Sequence, residues 1–418
     1  MPIIRLSSIV TLALIFTVTV SHPAKAATMR WCTTWKGQYV DAGFGEDIYN
    51  TTSPVYAKAA YNYIIVSHKS IFSSEYTIQW IGYADANGCT PYLPFSSYMN
   101  YQIVQGTKAQ GPGGRFVIVI PAGYPWGNIY TVLSNFYTSG IVFNQAYSHT
   151  FHPSYNSPWS NVMPVVGLLL KNATLSNLPQ NTTVYVSTWD GLCTGTYYQH
   201  NGTRICLLDT AYDTSTNHKF IIAHEFGHFG AWHQGGPMNG AYFSDGPEAD
   251  CSCSHLQGSD MYRWHCLQSK EYIGTAAVEG YAHFISSMTF NYQSASNCSF
   301  TYYKNQRENG VITVAPFAVS CIQNVRWMDT HCDPGNANLG TERDWLVFLW
   351  NLWTYGDSAS HFSSAEVGNI YSNTSPYGEL GERWNDLTST VVDIYGSLSY
   401  KHLQWVYRGY YAGVDHYQ

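Results

Sequence analysis

The stretch that decides the fold is Ile221-Ile222-Ala223-His224-Glu225-Phe226-Gly227-His228-Phe229, which contains the pattern His-Glu-x-x-His. Positions four apart lie on the same face of an α-helix. His224 and His228 can therefore direct two imidazole nitrogens at one point, as the first two ligands of a tetrahedral Zn2+ do. Glu225 lies beside His224, within reach of a water molecule at the metal. The pattern predicts a helix with one catalytic zinc ion and with Glu225 as the general base.

A catalytic zinc usually has three protein ligands and one position left for water. Glu279 is the acid of an uncharged, helix-like stretch over residues 275–284. A lone carboxylate there would be costly to bury unless it were paired or bound to a metal. We therefore expect Glu279 to be the third ligand. An ordinary salt bridge of this carboxylate is the alternative that the sequence leaves open.

The segment Val278-Glu279-Gly280-Tyr281-Ala282 resembles the Glu-Gly-Phe/Trp-Ala segment of gluzincin peptidases, whose second helix supplies the third zinc ligand. Together with His224-Glu225-x-x-His228, the resemblance is to that broad group and to no close relative. It implies a zincin-like α+β fold and a zinc metallopeptidase activity. The sequence departs from the group in one respect, because 50 residues separate His228 from Glu279, more than in the best-known gluzincins.

Two other zinc-peptidase groups match less well. Metzincins place a glycine three residues and a third histidine six residues after the second histidine, where this sequence has Ala231 and Gln234; His233 is one residue short. Aspzincins use an aspartate in a Gly-Thr-x-x-Asp context, which Gly340-Thr341-Glu342-Arg343-Asp344 approaches, but the residues after Asp344 do not match.

Peptide hydrolysis also needs a donor that stabilises the developing oxyanion. Tyr272 lies seven residues before Glu279, and His283 lies four residues after it. Both share the helix face of Glu279 if the helix extends that far. We therefore expect Tyr272 and His283 to be oxyanion donors or to support the zinc ligands, with plain packing as the alternative.

The first 26 residues have the pattern of a secretory signal peptide, with Arg5, a short apolar run over residues 9–20 and the cleavage site Ala24-Lys25-Ala26. We therefore expect a secreted or extracytoplasmic protein, and an uncleaved anchor is the alternative. No later stretch is long and apolar enough to predict a membrane span.

The charge of the chain argues against a nucleic-acid partner. Without residues 1–26 the chain keeps 18 basic and 27 acidic residues, a formal charge of −9. A general nucleic-acid binder needs a basic surface instead. The partner that the motif predicts is a peptide or protein substrate, and the sequence does not define the oligomeric state.

All ten cysteines follow the signal peptide, and an even number in an exported chain predicts disulfides, here five. The plausible local pairs are Cys32 with Cys89, Cys193 with Cys206, and Cys321 with Cys332. The alternative for one cluster is a second, structural zinc site formed by Cys251, Cys253, His255, His265 and Cys266.

The order of the predicted elements indicates an α+β protein of two units. Residues 27–122 are rich in β-branched and aromatic runs and predict an all-β, sandwich-like or barrel unit that binds, assists folding or acts as a pro-domain. Residues 123–418 form the metallopeptidase-like unit with a helical C-terminal part.

Within residues 123–418 we expect a helix over residues 128–146, strands over 163–170, 182–187 and 204–208, and a buried helix over 344–353. Asp213, Ser215 or Thr216 would cap the motif helix, and the strand over 204–208 would hold an extended substrate.

Taken together, the sequence predicts a secreted zinc-dependent peptidase that hydrolyses peptide bonds with a metal-activated water and Glu225 as general base. Two alternatives belong to other classes. One is an exported binding or adhesion protein with a structural metal site, and the other is a zinc hydrolase of non-peptide substrates.

Overall fold

A computed structural model describes the chain in separate stretches. They are residues 27–41, 55–70, 72–96, 98–120, 131–137, 146–151, 158–172, 183–187, 197–198, 204–207, 217–235, 266–308, 311–322, 327, 339–355, 361–374 and 383–415.

The chain is a mixed α+β protein whose first part is rich in strands and whose last part is helical. The strands are β1 Thr28–Gly37, β2 Val55–Lys58, β3 Asn62–Ser70, β4 Thr77–Tyr83, β5 Leu93–Pro94, β6 Met99–Gln110, β7 Phe116–Ile120, β8 Thr131–Tyr137, β9 Ala146–Phe151, β10 Thr183–Ser187, β11 Tyr197–Tyr198, β12 Arg204–Cys206, β13 Glu271–Tyr272, β14 Phe300–Tyr302, β15 Gln306–Glu308, β16 Val311–Thr313, β17 Phe317–Val319 and β18 Leu339–Gly340. The helices are α1 Pro158–Lys171, α2 Lys219–Gly235, α3 Ile273–Thr289, α4 Glu342–Thr354, α5 Ser364–Asn373, α6 Arg383–Tyr395 and α7 Tyr400–Ala412.

Two sheets form the strand-rich part. In the larger, eight-stranded sheet the order is β11-β12-β10-β7-β6-β3-β4, and β8 also pairs with β6. In the smaller sheet β1 pairs antiparallel with β2 and β5 and parallel with β9. Side chains from β1, β3 and β6, among them Trp31, Ile64 and Ile103, share one buried cluster between the two sheets. This part is therefore β-rich, with one buried cluster shared by the two sheets, and the expected sandwich-like arrangement stays a prediction.

The larger sheet continues past the expected division between residues 122 and 123. Strand β7 pairs in parallel with β10, with Phe116 opposite Thr183 and Ile120 opposite Ser187. The two residues at the division lie outside the described stretches, so the two-unit division stays a prediction. Trp35 of β1 and Val119 of β7 belong to the same large core as Phe226 of α2. The strands and the motif helix therefore share a hydrophobic core.

The helix over residues 219–235 and the buried helix over 342–354 confirm two expectations from the sequence. Helix α2 packs beside α3, and α3 packs beside α4. In α4 the apolar run is buried, as Trp345, Phe348 and Trp350 show with 0% exposure. The His-Glu-x-x-His helix is thus one member of a layer of helices, and it also contacts β11 and β12 of the larger sheet.

Two expected elements are wrong. The helix expected over residues 128–146 is replaced by strands β8 and β9 where the structure describes this region, and the strand expected over 163–170 is helix α1. Residues 162–170 of α1 are buried throughout. A continuous apolar run of this kind has no periodicity that separates a buried strand from a buried helix.

The described cysteines confirm one expected disulfide and correct another. Cys32 is bonded to Cys89, but Cys321 is bonded to Cys298 and not to Cys332. Cys206 and Cys266 are also disulfide-bonded. Because Cys266 is in a disulfide, its sulfur is not available as a thiolate ligand, and the alternative zinc cluster is wrong in including Cys266. The other residues of that cluster, and the expected partner of Cys206, lie outside the described stretches: Cys193, Cys251, Cys253, His255 and His265. No helix among the described residues is long and apolar enough to span a membrane.

Candidate metal centre

Helix α2 presents its two motif histidines on one buried face. The rings of His224 and His228 are perpendicular, with centroids 4.5 Å apart, as expected for positions one turn apart. His224 is 2% exposed, and the side chain of His228 is 14% exposed. The His224 imidazole is therefore enclosed by the protein, and the His228 imidazole is partly accessible to solvent.

Helix α3 brings Glu279 to both histidines. Glu279 Oε2 lies 3.1 Å from His224 Nε2 and 3.1 Å from His228 Nε2, and the carboxylate is almost fully buried. Two ligand atoms about 2.0–2.1 Å from one tetrahedral ion lie about 3.3–3.4 Å apart. The two distances from Glu279 Oε2 to the imidazole nitrogens are close to this value. The three atoms also belong to the residue types that bind zinc, so the donor set fits such an ion.

A close helix crossing sets this geometry. Gly227, between the two histidines, faces Ala282 of α3, and a Cβ on Gly227 would lie 2.6 Å from the Ala282 Cα. A glycine is needed here because any side chain would separate α2 from α3. Gly280 has the same role on the other side of α3, where a Cβ would collide with Trp345 of α4. The two glycines hold the three helices close enough for their side chains to meet.

His283 lies one turn after Glu279 and forms a second buried pair. Its Nε2 is 2.7 Å from Glu342 Oε2 at the start of α4, and neither side chain is exposed. The ring of His283 lies 4.3 Å from that of His224, centroid to centroid. His224, Glu279 and His283 each offer a ligand atom within 4.8 Å of the others. This buried group could hold a metal ion.

The two motif histidines differ in protonation. Burial, together with the neighbouring His283 and His228, lowers the pKa of His224 well below its usual value. Burial also lowers the pKa of His228, but the carboxylates of Glu279, Glu225 and Glu342 outweigh this and raise the pKa to about 9. Near neutral pH the metal-free protein therefore holds a proton on His228 and none on His224.

Glu225 is 6% exposed and lies close enough to His228 to raise its pKa. The same carboxylate acts on Tyr303, the residue after strand β14. Burial raises the pKa of Tyr303 well above its usual value, and Glu225, Glu279 and Glu342 add to the shift. The Tyr303 ring lies 5.8 Å from that of His224. Neither Tyr303 nor Glu342 was predicted from the sequence as a neighbour of the centre, because neither has a local signal that separates it from other residues of its type.

The other candidates from the sequence lie elsewhere. Tyr272 is in strand β13, opposite Leu339, and so precedes α3 instead of sharing its face. The Asp344 carboxylate accepts hydrogen bonds from the Trp327 backbone nitrogen and from the hydroxyl of Thr341, the N-cap residue of α4. His233 belongs to α2, but its side chain lies outside the described part of the chain. Strand β12 lies between β10 and β11, so it is not an edge strand of the sheet. An extended substrate would need an edge strand to pair with, so β12 does not suit the substrate-binding role expected for residues 204–208.

Models of known protein families and curated proteins give no match to this chain.

Proposed function

We propose that the protein is an exported zinc-dependent peptidase, with His224, His228 and Glu279 as the zinc ligands. The observation that carries the proposal is the convergence of two imidazole nitrogens on one carboxylate oxygen, each 3.1 Å from it. Three such ligands leave one tetrahedral position for water, which is the arrangement of catalytic and not of structural zinc sites.

Two histidines compete for the third ligand position. His283 Nε2 pairs with Glu342 at 2.7 Å, and its Nδ1 is buried without a hydrogen-bond partner among the described residues, so His283 can also bind a metal ion. We assign the position to His228 because its Nε2 lies 3.1 Å from the same Glu279 oxygen as that of His224. In this assignment the pair of His283 and Glu342 supports the centre from beside His224, whose ring lies 4.3 Å from that of His283.

The remaining groups supply the acid–base chemistry. When bound, zinc acidifies a water molecule and polarises the carbonyl group of the substrate. Glu225 accepts a proton from the attacking water on its carboxylate and passes it to the leaving amine. Tyr303 keeps its phenolic proton because its pKa is raised, so it can donate a hydrogen bond beside these carboxylates. It replaces Tyr272 as our candidate for the oxyanion donor.

The disulfides support the exported part of the proposal. Cys32–Cys89 and Cys298–Cys321 are of the kind that persists in oxidising compartments. Cys32 lies in strand β1 and Cys298 just before strand β14, so the two bonds brace the scaffold at these strands.

The test is zinc content and hydrolysis of a mixed peptide library by wild type, Glu225→Gln and Glu75→Gln. Glu75 is exposed in the strand-rich part and is the matched control. We expect one zinc ion in all three proteins and a loss of hydrolysis by about 10²–10⁴-fold in Glu225→Gln alone, since only the base is removed. Zinc without hydrolysis by wild type would favour a structural metal site or a non-peptide substrate. Wild-type hydrolysis by Glu225→Gln would overturn the mechanism.

A further inference from the structure

The first turn of helix α2 is capped by a residue 178 positions earlier in the chain. Asp41 follows strand β1 and is 1% exposed. Its Oδ1 accepts a hydrogen bond from the Lys219 backbone nitrogen at 3.1 Å, and its Oδ2 accepts one from the Phe220 backbone nitrogen at 3.2 Å. A helix leaves its first backbone N–H groups without helical partners, and a carboxylate there satisfies them and complements the helix dipole. The caps expected at Asp213, Ser215 or Thr216 lie outside the described stretches.

Tyr39 and Val40, which precede Asp41, form hydrogen bonds to residues at the start of α1 and α2. The Val40 backbone nitrogen donates to the Asn217 carbonyl at 2.9 Å. Tyr39 donates its hydroxyl to the Asn161 carbonyl at 2.6 Å, and the Asn161 side chain donates to that of Asn217 at 2.8 Å. The segment of residues 38–41 thus fixes α2 from the side of the strand-rich part.

The same turn of α2 is tied to the helix that carries Glu279. The Ser286 hydroxyl donates to the Phe220 carbonyl at 2.6 Å. Phe220 therefore receives one hydrogen bond from α3 and gives one to Asp41. One helical turn separates it from His224, so a shift of this turn is passed along a rigid helix to the histidines.

We propose that Asp41 is a positioning residue for the zinc ligands, and that residues 27–41 are an integral part of the active enzyme and not a removable pro-segment. The proposal rests on the proposed function. It follows from the hydrogen bonds of Asp41 and from the core that Trp35 of β1 shares with Phe226 of α2. Removing this strand would expose the core and uncap the motif helix.

The experiment compares Asp41→Ala and Asp41→Asn with Asp393→Ala, an exposed aspartate of α6. We measure zinc affinity by competition with a chelator, and kcat and KM separately, at a temperature where each variant is folded. We expect Asp41→Ala to lower zinc affinity by about tenfold and to lower kcat with KM unchanged. Asp41→Asn keeps one acceptor oxygen, so its zinc affinity and kcat should lie between those of wild type and Asp41→Ala. Asp393→Ala should have the zinc affinity and kcat of wild type.

Wild-type zinc affinity and kcat in folded Asp41→Ala would overturn the positioning role. If Asp41→Ala does not fold, wild-type zinc affinity and kcat in Asp41→Asn would overturn the positioning role. N-terminal sequencing of the zinc-loaded, active protein gives an independent test, since an active form that begins after residue 41 would contradict the integral role. The zinc measurements distinguish this proposal from the proposed function, because they decide the role of Asp41 even if no peptide is hydrolysed.

Discussion

The two hydrophobic cores of the molecule differ in what they bury. In the small core between the sheets the buried side chains are apolar or aromatic, such as Met29, Ile64 and Phe95, and buried polar side chains of the same strands, such as Asn62 and Gln105, are uncharged. The layer of α2, α3 and α4 instead buries acidic, basic and histidine side chains. Among the described residues, the buried side chains of these types are Asp41, Lys219, His224, Glu225, Lys270, Glu279, His283, Glu342, Arg343 and Asp344. Only Asp41 of this set comes from the strand-rich part, and it contacts α2.

The difference is the reason for placing the proposed function in the helical core. Burying a charge costs several kcal/mol unless it is paired or bound to a metal. Apolar residues would hold the three helices together without that cost. The buried histidines and carboxylates at the crossing of α2 and α3 therefore support the proposal that this region binds a metal ion.

The largest expected effect is on metal binding in the helical core. Glu279→Ala removes a proposed ligand, so zinc affinity should fall by more than about a hundredfold. The control is His283→Ala, which removes a supporting group and should cost about 10–100-fold. Both affinities are measured by chelator competition. If His283→Ala weakened zinc binding more than Glu279→Ala and His228→Ala do, His283 would be a ligand and our ligand set would be wrong.

The apolar core should affect stability alone. Ile64 is fully buried between the sheets, and Ile64→Ala should lower the free energy of unfolding by about 2–5 kcal/mol through lost burial and a cavity. The zinc affinity of the folded variant should equal that of wild type. Urea denaturation and chelator competition measure the two quantities. A matching loss of zinc affinity would mean that the two cores are coupled, contrary to this comparison.

A smaller effect is expected at the crossing of α2 and α3. Gly227→Ala places a methyl group against Ala282, so the helices must separate, at a cost of about 1–3 kcal/mol. Gly230 is the matched control in the same helix, because a Cβ there meets no described atom within 4 Å. Gly230→Ala should be neutral or stabilise by about 0.4–1 kcal/mol. Thermal unfolding of both variants measures this, and equal effects would refute the close approach as the cause.

Zinc uptake should also depend on pH, with an effect of about tenfold for each pH unit. His228 must lose its proton to bind zinc, and its pKa in the metal-free protein is about 9. Zinc affinity should therefore rise about tenfold per pH unit between pH 6.5 and about 8.5. Because this pKa lies above the unfolded value, the proton stabilises the metal-free fold below pH 6.5, and that contribution is lost as the pH rises through 9. Chelator competition across this range measures the slope, and a flat profile would contradict the protonated state of His228.

The sequence by itself determined the features that depend on neighbouring residues. A four-residue spacing is enough to place His224 and His228 on one helix face, and the β-branched runs at β3, β4 and β7 predict strands. The assignment of Glu279 as third ligand came from its uncharged surroundings and from a resemblance. The structure brings it to the two histidines, and zinc binding by the three remains a prediction.

Only the tertiary structure decided which distant residues meet. Glu342 reaches His283 across 59 positions, and Asp41 caps α2 from 178 positions away, without any local pattern that indicates either contact. The same holds for Cys321, whose partner is Cys298 and not the nearer Cys332. The physical reason is that periodicity reports which face of an element is buried, whereas the partner on that face depends on how the elements pack.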